Sequence, residues 1–171
     1  MQNNKTLMLA KLFDLEEILV IIEDARKFMS AQGSGQWQDG TPSQVTITND
    51  IKNNNFYVCK MQNEIVGVLA LLEYEEGYDK LLTGKWQHLG PYFVIHRFAT
   101  KRSQFTQGVA TFMLKEVEQI ARKNNIYIIK VDTHEKNTPM CNLLLKNGYQ
   151  VAGTTLIEQT KLRVVFEKYL G

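Results

Sequence analysis

The sequence predicts an α/β fold in which helices cover both faces of a mixed sheet. Three observations carry that reading. Ile126 to Val131 is nearly continuous apolar, the pattern of a central strand buried on both sides. Phe56–Met61 and Ile65–Glu73 flank Gln62-Asn63-Glu64 and read as a hairpin. Ala110, Met113, Leu114, Val117, Ile120 and Ala121 give one apolar helix face between two strand-like runs. Hairpins supply antiparallel pairs, and the strand–helix–strand crossover supplies a parallel one.

The elements follow in order. Leu7 to Leu12 is a first strand. Asp14 stands at a helix N-cap with Glu17 at the capping-box position, and Leu15, Ile18, Leu19, Ile22, Ala25 and Met29 form an apolar stripe at helical spacing. The Gly- and Pro-bearing stretch QGSGQWQDGTP is a loop, and Ser43–Asn53 is a second, weaker helix. After the hairpin, Tyr74–Gly90 is a long polar and aromatic connection, and Pro91–Thr100 is a strand. The Ala110 helix stops at Asn124-Asn125. A helix over Met140–Lys146 has Gly148 just past its end. Tyr149–Thr155 and Lys161–Tyr169 close the sheet, the latter with the alternation of a half-buried strand.

The chain has 171 residues, 44% hydrophobic and 22% charged, with no repeat or linker, so residues 1–171 are expected to form a single domain. A net charge of +2 with no basic block beyond Lys101-Arg102 argues against a nucleic-acid partner. The first residues lack the features of a signal peptide, and the apolar run Ile18–Ile22 is far short of a membrane span. Cys59 and Cys141 are expected as free thiols. A cytoplasmic protein without a membrane partner is the expectation. No dinucleotide, P-loop, nucleophile-elbow or zinc-protease motif is present, and His88, His96, His134 and the cysteines lack metal-ligand spacing, so no metal is expected.

The stretch HRFATKRSQFTQGVATFMLKEVEQIARKNN runs from a strand through a polar turn into small residues that open a helix. Unpaired N–H groups at such a start can seat phosphates, with Gly108, Val109 and Ala110 as the cradle and Lys101, Arg102 and Gln107 near it. The order of elements and this stretch resemble the GNAT superfamily of acyl-CoA-dependent N-acyltransferases, over nearly the whole chain. The family signature Gln/Arg-x-x-Gly-x-Gly/Ala corresponds to Phe105-Thr106-Gln107-Gly108-Val109-Ala110, where the Gly and Ala match and Phe105 departs. The resemblance implies acetyl-CoA as cofactor, its pyrophosphate on the main chain of that turn. It also implies backbone of Phe98, Ala99 and Thr100 beside the pantetheine arm, and Asn137 contacting that arm. Gly148-Tyr149 matches the family's helix exit, whereas the position often held by a Tyr acid is Leu144. GSGQW, IHRFAT, VDTH and RVVFEKYL resemble small bacterial members.

The resemblance implies transfer of acetyl from acetyl-CoA to a primary amine, small molecule or peptide, by direct attack; it leaves room for a homodimer. Candidate bases are His96, placed on the face of Phe98 by strand alternation, and the strand-end acids Glu73 and Glu75. Trp37, Trp86, Tyr74 and Tyr78 could wall an acceptor pocket, with His134 at its rim. Two other readings stand: a non-catalytic acyl-CoA-binding or sensing module, suggested by Phe105 and Leu144, and an enzyme acting on protein N-termini.

Overall fold

A computed structural model describes residues 4–104 and 108–171. β1 (Lys5–Leu9) leads through a 3-10 turn into α1 (Leu15–Ala31), and α2 is Gln44–Lys52. The hairpin β2 (Phe56–Met61) and β3 (Glu64–Leu72) follows, then a two-residue β4 (Thr83–Gly84) and β5 (Tyr92–Thr100). α3 (Val109–Lys123), β6 (Ile128–Thr133), α4 (Thr138–Lys146), β7 (Gln150–Ile157) and β8 (Lys161–Tyr169) complete the chain. One sheet runs in the order β1-β2-β3-β5-β6-β8-β7-β4. β5 and β6 are parallel and every other pairing is antiparallel.

The expected mixed sheet with helices on both faces is present. One face carries α3 and α4, through Val109, Met113, Leu114, Val117, Ala121 and Leu144. The other carries α1 and α2 over β2 and β3, and farther along the sheet Tyr78 and Trp86 from the long connection. Gln62 and Asn63 take positive φ (53° and 66°) in the β2–β3 turn, as a tight hairpin whose twist matches its strands requires. Asn125 (φ 57°) closes α3, and the Ile126 N–H returns to the Ala121 carbonyl at 2.9 Å.

Four local expectations are corrected. The first strand ends at Leu9 rather than Leu12, because residues 12–14 coil into the 3-10 turn. Asp14 does not cap α1 through its side chain; it accepts from the Lys11 N–H (2.8 Å) and pairs with Lys60 (3.3 Å). Glu17 instead accepts from the Ile65 N–H at 3.3 Å, tying α1 to β3. β4, unforeseen in the long connection, pairs Gly84 with Gly153 of β7, and a Cβ on either glycine would collide with the backbone opposite.

Tyr149 is 1% exposed, packed with Leu144 and Phe166, and its hydroxyl finds no partner among the described residues. Burial pushes its phenol pKa far up. Removing an unsatisfied buried hydroxyl relieves a desolvation cost. Tyr149→Phe is expected to hold or raise stability by up to ~1 kcal/mol in denaturant unfolding; a loss of that size would show that the hydroxyl is bonded.

Candidate active site

The parallel pairing of β5 with β6 runs only from Tyr92–Ile128 to Ile95–Val131. Beyond it both strands continue apart: β5 stays on β3 through Ala99 and Thr100, and β6 stays on β8 through Asp132 and Thr133. The β6-facing edge of β5 after Ile95 therefore has no strand partner. Unpaired backbone at a sheet's interior is a docking edge for an extended ligand carrying amides.

A β-bulge sits at the opening. Ala70 pairs with His96 and Val68 with Ala99, so Arg97 and Phe98 stand together opposite Leu69. Arg97 takes φ 53°, a left-handed conformation uncommon for a side-chain-bearing residue. Its guanidinium lies 3.1 Å from Asp50 of α2, which pins the bulge from the helix side. Burial pushes the Asp50 carboxyl up, against the pull of Arg97. The bulge also corrects the alternation argument. His96 and Ala99 share the α1 face with Ala70 and Val68, while Phe98 packs on the α3 face.

A cavity of about 220 Å³ passes through the opening. Ile95, Val131, Phe98, Met140 and Asn137 line it toward α3 and α4. His96, Glu75, Asp132, Trp37, Lys161 and Arg163 line it on the other face. His96, 17% exposed, has Nε2 3.1 Å from a Glu75 oxygen and Nδ1 3.9 Å from Asp132 Oδ1. Asp132 Oδ1 also accepts from the Tyr78 hydroxyl at 2.5 Å. With Nε2 donating to Glu75, the second ring nitrogen is left facing Asp132 and the cavity.

Glu73 is exposed and does not line the cavity; the carboxylate on His96 is its neighbour but one, Glu75. The hydrogen bond from His96 holds the Glu75 carboxyl below its ordinary value. A carboxylate with a depressed folded pKa stabilises the fold above its unfolded value and loses that contribution as pH falls through the folded one. The stability gap between the wild type and Glu75→Gln is therefore expected to shrink as pH drops from about 4.3 downward. Thermal melts across that window check it, and a gap that widens on acidification would contradict the pair.

The remaining expected residues divide. Gly108 is the N-cap of α3 at φ 70°, and no atom of the described residues lies near where its Cβ would be. The N–H groups of Val109 and Ala110 open the helix from there, and the Val109 side chain itself packs in the core. Gln107 and Phe105 lie outside the described residues. Lys101 forms an ion pair with Glu64. Asn137 caps α4 (Met140 N–H to Oδ1, 3.4 Å) while its amide nitrogen faces Gln36, so cap and cavity wall coincide. Trp37 lines the cavity. Trp86 does not: it donates to the Tyr78 carbonyl (2.8 Å) and covers the Lys130 ammonium, 4.0 Å from its ring. His134 lies past the end of β6 outside the lining, its Nδ1 accepting from the Lys136 N–H at 3.1 Å.

Gln36 was not foreseen. Its side-chain oxygen accepts from Thr133 Oγ1 (3.0 Å), the His134 N–H (3.2 Å) and Asn137 Nδ2 (3.2 Å). One amide thus ties the loop after α1 to the far wall of the opening. A Gln in a loop carries no pattern that announces this.

Cys59 is buried with its thiol pushed up to about 11, and Cys141 is also pushed up by burial; neither lines the cavity. Among the described residues no His, Cys, Asp and Glu group could hold a metal, and no helix is long and apolar enough to cross a membrane.

An opened sheet with a bulge at the opening is an arrangement into which an extended ligand can dock. Residues 21–149 match the acetyltransferase (GNAT) family, and the chain belongs to that family. It is similar to a GNAT-family acetyltransferase from Streptococcus agalactiae, at 30% identity and a TM-score of 0.89 over 96% of this chain and 95% of that one. It shares its fold with a putative acetyltransferase from Staphylococcus aureus (24% identity, TM-score 0.74, 97% and 99% covered). It also shares it with the PaiA N-acetyltransferase of Thermoplasma acidophilum, crystallised in complex with coenzyme A (17% identity, TM-score 0.71, 97% and 99% covered). No curated protein matches the chain.

Proposed function

We propose that this chain is a single-domain, cytoplasmic N-acetyltransferase that moves acetyl from acetyl-CoA to a primary amine by direct attack. The observation that carries it is the cavity through the β5–β6 opening, with His96 held by Glu75 at its wall and the bulge beside it. The chain's own groups fit the carrier. The N–H groups at the start of α3, with Gly108 leaving room, suit a pyrophosphate, and the unpaired edge of β5 suits pantetheine amides. Once bound, acetyl-CoA supplies an activated acyl group on sulfur.

His96 takes a proton from the acceptor ammonium, and Glu75 orients the ring and stabilises its charged form. The freed amine forms the C–N bond to the acyl carbon, the C–S bond breaks, and the second proton that the nitrogen sheds goes to the departing thiolate or to solvent. Backbone N–H at the bulge supports the carbonyl oxygen as charge develops there. The leaving thiolate has an intrinsic pKa near ~8.5, so it departs with little acid assistance. That is consistent with Leu144, which is wholly buried among Tyr149 and the α3 residues and presents no acid to the cavity.

Leu144→Tyr would force a larger side chain into that core. We expect it to destabilise the fold by ~1–3 kcal/mol without raising turnover, read by unfolding and by thiol release. A stable variant with a higher rate would show that the position reaches the sulfur. Thiol release from acetyl-CoA with a panel of amines, with the acetylated product confirmed by mass, tests the function. CoA binding without transfer to any amine would leave a binding module.

A further inference from the structure

On the α1 side of the cavity the charges pair off, with two exceptions. Lys161 bridges Asp39 (2.8 Å) and Glu158 (2.7 Å), Arg97 faces Asp50, and His96 faces Glu75. Arg163 lines the same cavity, half-buried, yet among the described residues its guanidinium makes one hydrogen bond, to the neighbouring Leu162 carbonyl (2.8 Å). No carboxylate among the described residues forms an ion pair with it. Asp132, 8% exposed at its side chain, is the matching case: it holds a Tyr78 hydrogen bond and has no Lys or Arg partner among the described residues. A guanidinium presents five donors and stays charged, so a half-buried one left open is a seat for an anion. Burial disfavours its charge, and Asp132 is the first of the groups that offset this.

The strands set how these two groups sit. Asp132 stands opposite Val165 of β8, and Arg163 is two residues from Val165 on the same face. They are offset by one two-residue repeat, roughly 7 Å along the sheet. A carboxylate and a guanidinium at that offset, on one wall and beside His96, complement an ammonium and a carboxylate within one small molecule.

Resting on the acetyltransferase reading above, we propose that the acceptor is a free amino acid. Its carboxylate is held bidentately by Arg163, and its ammonium sits between Asp132 Oδ1 and His96 Nδ1. Those two atoms are 3.9 Å apart, close enough for one ammonium to donate to both. His96 then receives the proton, and the nitrogen faces the opening through which the thioester is presented. Polyamines and protein N-termini, which bring no nearby carboxylate, leave Arg163 unanswered.

The test compares amino acids with their amides and their decarboxylated amines. Catalytic efficiency on the wild type is expected to favour the free acid roughly 10- to 100-fold, the scale of a charge-assisted pair. Arg163→Gln should bring that ratio to near unity, chiefly through KM, and Arg163→Lys should recover part of it. Calorimetry of the amino acid into the protein, alone and with CoA, reads the same site without turnover. Weakened amino-acid binding in Arg163→Gln, with CoA affinity and melting temperature kept, supports the assignment. Preference for amides or polyamines, or amino-acid binding indifferent to Arg163, overturns it while leaving the transferase reading intact. Loss of CoA binding in the wild type would overturn the transferase reading, and the amino-acid titration on the protein alone would still decide the role of Arg163.

Discussion

Replacing His96 by Gln should lower catalytic efficiency by ~10²–10⁴-fold while the protein still folds and binds CoA. An imidazole is the side chain suited to general-base work, and the two neighbours of His96 are carboxylates, Glu75 at 3.1 Å and Asp132 at 3.9 Å. An alkyl ammonium with a pKa near ~10 is almost wholly protonated at neutral pH, so transfer requires an acceptor for that proton. Gln keeps a polar side chain of similar reach and cannot serve as base. The role is separable from mere packing. An arylamine, already neutral, should lose much less in the variant than an alkylamine does. Equal losses for both would make His96 a positioning residue, and an unchanged alkylamine rate would remove it from the chemistry.

Gly108→Val should weaken CoA binding by at least ~10-fold. Gly108 sits at φ 70° with no atom of the described residues near its missing Cβ, and the backbone is in a region a β-branched residue resists. Valine either fills the approach path of the phosphates or pulls the helix start out of shape. Either change disturbs the same N–H groups. The first turn of α3 packs Val109 into the core, so a small loss of stability accompanies the effect. Calorimetry with CoA, beside a melting curve, separates the two. Unchanged affinity would move the pyrophosphate elsewhere.

The elements were legible because each repeats a local period. The α3 stripe and the β2–β3 hairpin stand where the sequence puts them, whereas the strand expected over Ile126–Val131 is shifted to Ile128–Thr133 because the Ile126 N–H returns to α3. Of the acidic residues at the end of β3, Glu75 lines the cavity and Glu73 does not. What escaped depends on register. The bulge at Arg97-Phe98 leaves no mark in VIHRFAT, yet it reverses the alternation and sends His96 and Phe98 to opposite faces. Choosing Glu75 over Glu73 requires the path of the chain after β3, which leaves the strand at Leu72 and turns through residues 76–78. Trp86 is an aromatic in a loop, as an acceptor wall would be, but the Lys130 ammonium and Tyr78 claim it for the sheet's other end. Gln36 and Arg163 act through tertiary contacts, the one by three hydrogen bonds and the other by having no ion pair among the described residues.

A crystal structure with bound acetyl-CoA tests the assignment of the opening most directly. The expected result has pyrophosphate oxygens on the N–H groups at the start of α3 and the pantetheine arm threading between β5 and β6 beyond Ile95 and Val131. The thioester carbonyl would lie at the Arg97 bulge within reach of the amine site beside His96. A carrier bound away from the β5–β6 opening, or threaded with its thioester remote from His96, would contradict it.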